Sequence, residues 1–206
     1  MQNMITSEEA LRELMGEPVH ELVVVKSTPL LTAPLQDFIR LSPFACLGTH
    51  SQQGAADISP RGDAPGFVYI QDDKTLIIPE RPGNKRLDSV LNIISQPQLS
   101  LLFMIPGVQE TVRVNGTGAI TADPDVLGLF PVNGKLPQLA IVVKVEEALG
   151  HCSKAFRRSK LWQEDYLPKQ AVPTLAQMMS GHLMLDQATN EMLEAGIEDD
   201  AANNMY

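Results

Sequence analysis

The sequence predicts a mainly β chain with helical additions, an α+β protein centred on an antiparallel meander. Three observations predict it. Short β-prone runs fill residues 44–147, turn residues divide them at even intervals, and helical patterns flank that block on both sides.

The elements follow in order. Thr6 to Glu9 fits a capping box that opens a helix over 6–16, with Ala10, Leu11, Leu14 and Met15 on one face and Gly16 and Pro18 ending it. ELVVVK (21–26) reads as a β-rich run. Thr32 and Pro34 open a second helix whose buried stripe is Leu35, Phe38, Ile39 and Leu41. FACLGTH and AADIS, FVYI and TLIIP, and LSLLFMI and TVRVNGTGAI make three hairpins, and LAIVVKVEE (139–147) adds a later strand. Such spacing favours a barrel or sandwich over a parallel sheet. LDSVLNIIS (87–95) interrupts the strands with Leu87, Val90, Leu91 and Ile94 at helical spacing, and Asp123-Pro124 starts a short helix. After Gly150 come helices at 154–162, 174–185 and 186–196, then a frayed EDDAANNMY.

The 206 residues make about one domain, with no internal repeat and no linker long enough to divide it. The expected organisation is a single domain over 1–206, with its core at about 30–165 and a helical extension over 166–206. Apolar residues at 44% and charged residues at 20% exclude wholesale disorder. No apolar run approaches the ~20 residues of a membrane helix. The acidic, amphipathic opening is unlike a signal or transit peptide, so a cytoplasmic protein is expected. Sixteen Lys and Arg against 25 Asp and Glu give a net charge of −9. That balance argues against sequence-independent nucleic-acid binding and against docking on anionic membranes. Cys46 and Cys152 cannot make a disulfide framework, and four scattered histidines offer no metal pattern.

Three segments can carry chemistry. RPGNKR (81–86) places Arg81, Lys85 and Arg86 around Pro82, Gly83 and Asn84, directly before an apolar helix. A Gly-containing loop at a helix N-terminus offers N–H groups and a favourable dipole to an anion, and Arg adds forked hydrogen bonds to phosphate oxygens. One reading is a pocket for a terminal phosphate; the other is a solvated loop whose cations pair with Asp88 and nearby acids. DISPRGDAPGF (57–67) is either a backbone platform for a flat ligand, with Arg61 available to an anion, or an irregular turn closed by an Arg61–Asp63 interaction. HCSKAFRRSKLW (151–162) gathers Lys154, Arg157, Arg158 and Lys160 with the single tryptophan, Trp162. It reads as a steering patch or as a solvated helix face. His151 and Cys152 are adjacent, so their side chains diverge and a nucleophilic pair is not expected. Cys46 and Cys152 read as small buried residues, and Met178, Met179 and Met184 as a packing stripe.

These blocks, with GTHSQQGAADISPRGDAPGFV and PQLSLLFMIPGVQETVRVNGTGAI in order between residues 30 and 165, closely resemble the pyridoxamine 5'-phosphate oxidase-related FMN-binding proteins. The match is to the branch with SPRGDxPGF and RPGNxRLDS motifs. The resemblance implies a six-stranded split β-barrel and a homodimer with FMN at the subunit interface. It also implies that Arg81, Asn84, Lys85 and Arg86 contact the phosphate. Ser59, Pro60, Arg61 and Gly62 would lie along the flavin ring and ribityl chain, Ile78 and Pro79 on the adjoining strand, and Trp162 would reach the partner's flavin. The oxidases themselves end in a Trp and an Arg-Leu-x-Pro segment that grips the substrate phosphate. This chain ends AANNMY, so a vitamin B6 phosphate is not the expected substrate. The expected function is an FMN-dependent oxidoreductase acting on another small molecule, with no assignable catalytic residue. The alternative is a flavoprotein that stores or senses FMN without turnover, and a third reading places a haem-related or deazaflavin ligand in the same pocket.

Overall fold

The structure, a computed structural model, describes residues 4–18, 20–163, 166–168 and 171–206. The first three residues of the acidic opening, and residues 164–165 and 169–170 near the start of the helical extension, lie outside the described residues.

All seven β-prone runs become strands: β1 (Phe44–His50), β2 (Ala56–Gly62), β3 (Tyr69–Asp72), β4 (Thr75–Pro79), β5 (Gln98–Met104), β6 (Thr111–Thr121) and β7 (Ala140–His151). They form one antiparallel sheet in the order β2-β1-β5-β6-β7-β4-β3. Among the described residues the sheet therefore has seven strands where the resemblance implied six. It is open, because β2 and β3 each pair on one side only. Even so, Leu47 of β1 and Leu76 and Ile78 of β4 share one core with Leu101, Phe103, Val114, Ile141 and Val143. A sheet that buries residues from near both of its ends in one cluster must curl around them.

Two features of the sheet explain its sequence. β2 runs through Ser59-Pro60-Arg61, where an irregular turn was the alternative. Proline is tolerated there because β2 is an edge strand with one unpaired side. A bulge falls between Asn115 and Gly116 where β6 pairs β7, and a Cβ on Gly116 would overlap the Lys144 carbonyl oxygen.

The helices are α1 (Glu8–Met15), α2 (Glu21–Val25), α3 (Ala33–Leu41), α4 (Asp88–Ser95), α5 (Pro124–Leu127), α6 (Lys154–Ser159), α7 (Leu175–Leu183) and α8 (Gln187–Asn203). The cap of α1 is Ser7, whose Oγ accepts from the Ala10 N–H at 3.2 Å, and not the expected Thr6, and the expected apolar face stays exposed at Leu11, Leu14 and Met15. ELVVVK is helical rather than extended. His20 Nδ1 caps the Leu22 N–H at 3.1 Å, and among the described residues the run has no strand partner; the following Thr28 bridges the sheet, at Ala148. In α3, Ile39 is buried and Leu35 and Phe38 pack against the core, whereas Leu41 is exposed. In α4 the buried positions are Ser89, Val90 and Ile93. Leu87, Leu91 and Ile94 of the expected stripe face outward, because α4 lies on β1 and β6 along its 89–90–93 edge.

Further corrections concern the end of the chain. Cys152 is exposed because β7 stops at His151 and the chain turns there into α6, while Cys46 is only half-buried. Met178 and Met184 are exposed, leaving Met179 alone half-buried. EDDAANNMY is helical through Asn203 instead of frayed, as part of an α8 started by Asp186, whose carboxylate caps the Thr189 N–H at 2.8 Å. Among the described residues no helix is long and apolar enough to cross a membrane.

Candidate functional site

The first two segments singled out from the sequence meet in space. Alternation along β2 places Asp57, Ser59 and Arg61 on its more protected side. β4 ends at Pro79, and the chain then loops through Glu80–Leu87 into α4. Between them lies a cleft of about 510 Å³, lined by residues 57–62, 67, 79–84 and 86–89. Of the expected site residues, Ser59, Pro60, Arg61, Gly62, Pro79, Arg81, Asn84 and Arg86 line it. Three do not. Ile78 is buried in the core, Lys85 lines a second cavity, and Trp162 stacks on Phe156 with its indole N–H donating to the Val108 carbonyl. Lys154, Arg157, Arg158 and Lys160 of the basic segment are all exposed and lie outside the cleft.

The cleft is balanced in charge. Arg61, Arg81 and Arg86 face it together with Asp57, Glu80 and Asp88, and each guanidinium holds a carboxylate. Arg61 pairs with Glu80 across the cleft wall, both largely buried, so the expected Arg61–Asp63 interaction does not form. Asp63 instead accepts from Arg81 Nε at 2.8 Å. Arg86 pairs with Asp88 at 2.8 Å, with the arginine side chain 73% exposed, which is the pairing that the solvated-loop reading foresaw. An anion entering the cleft must therefore compete with a carboxylate. It does so most easily at Arg86, because exposed ion pairs contribute little.

The loop backbone is strained where it enters α4. Lys85 and Leu87 both adopt left-handed conformations, at φ 59° and 58°, a costly geometry for residues with a Cβ. Asn84 Oδ1 accepts from the Arg86 N–H at 3.0 Å and fixes the bend. α4 then starts without a side-chain cap, so the donors of its first turn are left to whatever occupies the cleft mouth. Below them Ser89, buried, donates to Asp57 Oδ2 at 3.2 Å, and Thr49 donates to the same oxygen at 3.3 Å. Asn92 anchors Thr49 in turn, at 3.0 Å.

Arg81 is built into the wall. Besides Asp63 it donates to the Phe130 carbonyl at 3.1 Å, and its guanidinium lies 5.6 Å from the ring centroid of Tyr206. The Tyr206 hydroxyl donates to Asp63 at 2.8 Å. Burial pushes the Asp63 carboxyl up, but the Ala64 N–H, Tyr206 and Arg81 together outweigh it and hold it below the ordinary value. The same bond to Asp63 raises the Tyr206 phenol.

One further atom bears on what the cleft accepts. Arg61 Nε is buried and finds no hydrogen-bond partner among the described residues. A flavin mononucleotide fits this donor set: an orphaned guanidinium N–H, uncapped helix N–H groups, an exposed arginine, and a volume in the range of cofactor sites. Sequence reasoning missed Asp57, Glu80 and Ser89. Period-two alternation with Ser59 and Arg61 could have found Asp57. Tyr206 left no local signal, since its partner Asp63 lies 143 residues away.

Comparison with known proteins bears on this geometry. The family profile described as pyridoxamine 5'-phosphate oxidase matches residues 31–152, more than half of the chain and all of the cleft. The chain belongs to the pyridoxamine 5'-phosphate oxidase family. Solved structures of similar shape include HupZ of Group A Streptococcus, at 19% identity over 59% of this chain and 99% of that one, with a TM-score of 0.49. An FMN-binding protein of Syntrophomonas wolfei is similar at 12% identity over 70% and 96% of the two chains, with a TM-score of 0.44. A comparison with curated proteins returned no match.

Proposed function

We propose that this protein is an FMN-dependent flavoprotein of split-barrel form, an oxidoreductase acting on an unidentified small molecule. The observation that carries this reading is the meeting of residues 57–62 and 79–89 in one cleft, with an orphaned Arg61 Nε and an uncapped helix start. Arg86, Asn84 and the first turn of α4 would hold the phosphate. Ser59, Pro60, Arg61, Gly62 and Pro79 would line the remainder of the cofactor. Bound FMN would supply one- and two-electron transfer, the protein contributing position and hydrogen bonding.

Two earlier assignments are narrowed. Arg81 supports the wall rather than presenting a free guanidinium, and Lys85 serves another cavity. Ile58 on the β2 edge and Leu87 and Leu91 beside the cleft are exposed apolar residues. They support a homodimer whose second copy completes the cofactor site; for Trp162 to reach the partner's flavin, its stack on Phe156 and its bond to Val108 would have to face that copy.

A second reading has its own observation. Each carboxylate of the cleft is already engaged: Asp57 with Ser89 and Thr49, Glu80 with Arg61, and Asp88 with Arg86. That arrangement favours a flavin store or sensor without turnover. The absorption spectrum of the purified protein tests the cofactor, and NADH or NADPH addition separates the two readings. Flavin bands that bleach and recover over repeated cycles support the oxidoreductase. Flavin bands inert to every donor support storage, and haem or deazaflavin bands overturn the FMN assignment.

A further inference from the structure

The loop that walls the cleft also lines a second cavity, of about 450 Å³, closed by Val132, Lys135, Leu136, Leu139 and Tyr206. Its chemistry differs from that of the cleft. Val132, Leu136 and Leu139 supply apolar surface, and two lysines, Lys85 and Lys135, reach it. Neither lysine is in an ion pair among the described residues. The one carboxylate residue at the cavity, Glu80, is committed to Arg61. In a chain with a net charge of −9, Lys85 without an ion-pair partner among the described residues, and Lys135 held by one main-chain oxygen, select beside an apolar wall an organic anion with an apolar body.

Tyr206 indicates how such a molecule would sit. Its main-chain oxygen accepts from Lys135 Nζ at 2.7 Å, and its ring rests near the Arg81 guanidinium. The residue thus presents an oxygen acceptor to the lysine and an aromatic face to the arginine, from a segment just beyond the end of α8. We propose that this cavity is a second ligand site, for an aromatic carboxylate, held by Lys85 and Lys135, with Tyr206 as the displaceable stand-in. The cavity shares residues 80–84 and Leu87 with the cofactor cleft, but neither Lys85 nor Lys135 lines that cleft.

Calorimetric titration of the full chain with 3-(4-hydroxyphenyl)propionate, and with its amide as a neutral control, tests this. One saturable site is expected, with the amide about tenfold weaker. Lys85→Gln and Lys135→Gln, each checked for an unchanged thermal melt, should weaken the acid about fivefold, and Tyr206→Ala, which removes the ring beside Arg81 and keeps the main-chain oxygen on Lys135, should tighten it about threefold. Excess FMN should leave the titration unchanged. No saturable binding by either wild type or Tyr206→Ala, equal affinity for acid and amide, lysine variants that bind as wild type does, or competition by FMN would each overturn the proposal.

Discussion

Arg81 and Arg86 belong to one six-residue motif, yet their surroundings divide the work. Arg81 is held by Asp63, by the Phe130 carbonyl and by the ring of Tyr206, so it shapes the wall. Arg86 is exposed, and among the described residues its guanidinium pairs with Asp88 at the start of α4. Arg86→Ala should therefore weaken FMN binding roughly tenfold, the loss of one charge-assisted hydrogen bond. Asp88→Asn should tighten it, because the competing carboxylate is gone; equilibrium titration of both variants checks the pair, and a weaker Asp88→Asn would place the phosphate elsewhere. At the end of β7, burial, with Lys26 and Arg113 nearby, holds His151 below its ordinary value of 6.5. The unfolded chain then binds this proton more readily than the folded one. The contribution is complete above pH 6.5 and is lost as the pH falls through the lower, folded value. Melting temperatures measured from about pH 7.5 down to pH 5 should fall less steeply in His151→Gln than in wild type.

At the scale of elements, strands were more legible than helices. Each of the seven β-prone runs became a strand, because alternation and turn residues act locally and the sheet rewards both. Helical periodicity placed α4 correctly but misjudged its buried side. Leu91 and Ile94 satisfy the spacing, and only the angle at which α4 meets β1 and β6 decides that Val90 and Ile93 go inside. ELVVVK failed for a similar reason, since β-branched residues favour a strand only where a partner strand exists. The β6–β7 bulge gives the element-scale prediction. Gly116→Ala must push a Cβ into the Lys144 carbonyl and should destabilise the fold by about 1–3 kcal/mol in denaturant melts. A cost near zero would mean that the bulge relaxes freely.

For the whole molecule, the sequence indicated which segments carry the site but not how their charges combine. The basic character of residues 81–86 and the pairing with Asp88 were visible, whereas the Asp63 carboxylate that holds Arg81 and the Glu80 carboxylate that holds Arg61 were not. Tyr206 joins that arrangement from the far end of the chain, a contact no local pattern could encode. The result is a cleft that is neutral at rest, in an acidic protein, and that presents oriented donors in place of bulk positive charge. Such a site would recognise a phosphate by geometry, through the loop and the first turn of α4, and not by attraction at a distance.

The comparison of FMN with riboflavin measures this most directly, because the two differ only in the phosphate. The account predicts that apoprotein binds FMN at least about a hundredfold more tightly than riboflavin, with most of that ratio lost in Arg86→Ala. Equal affinities for the two flavins, or a ratio untouched by Arg86→Ala, would contradict it.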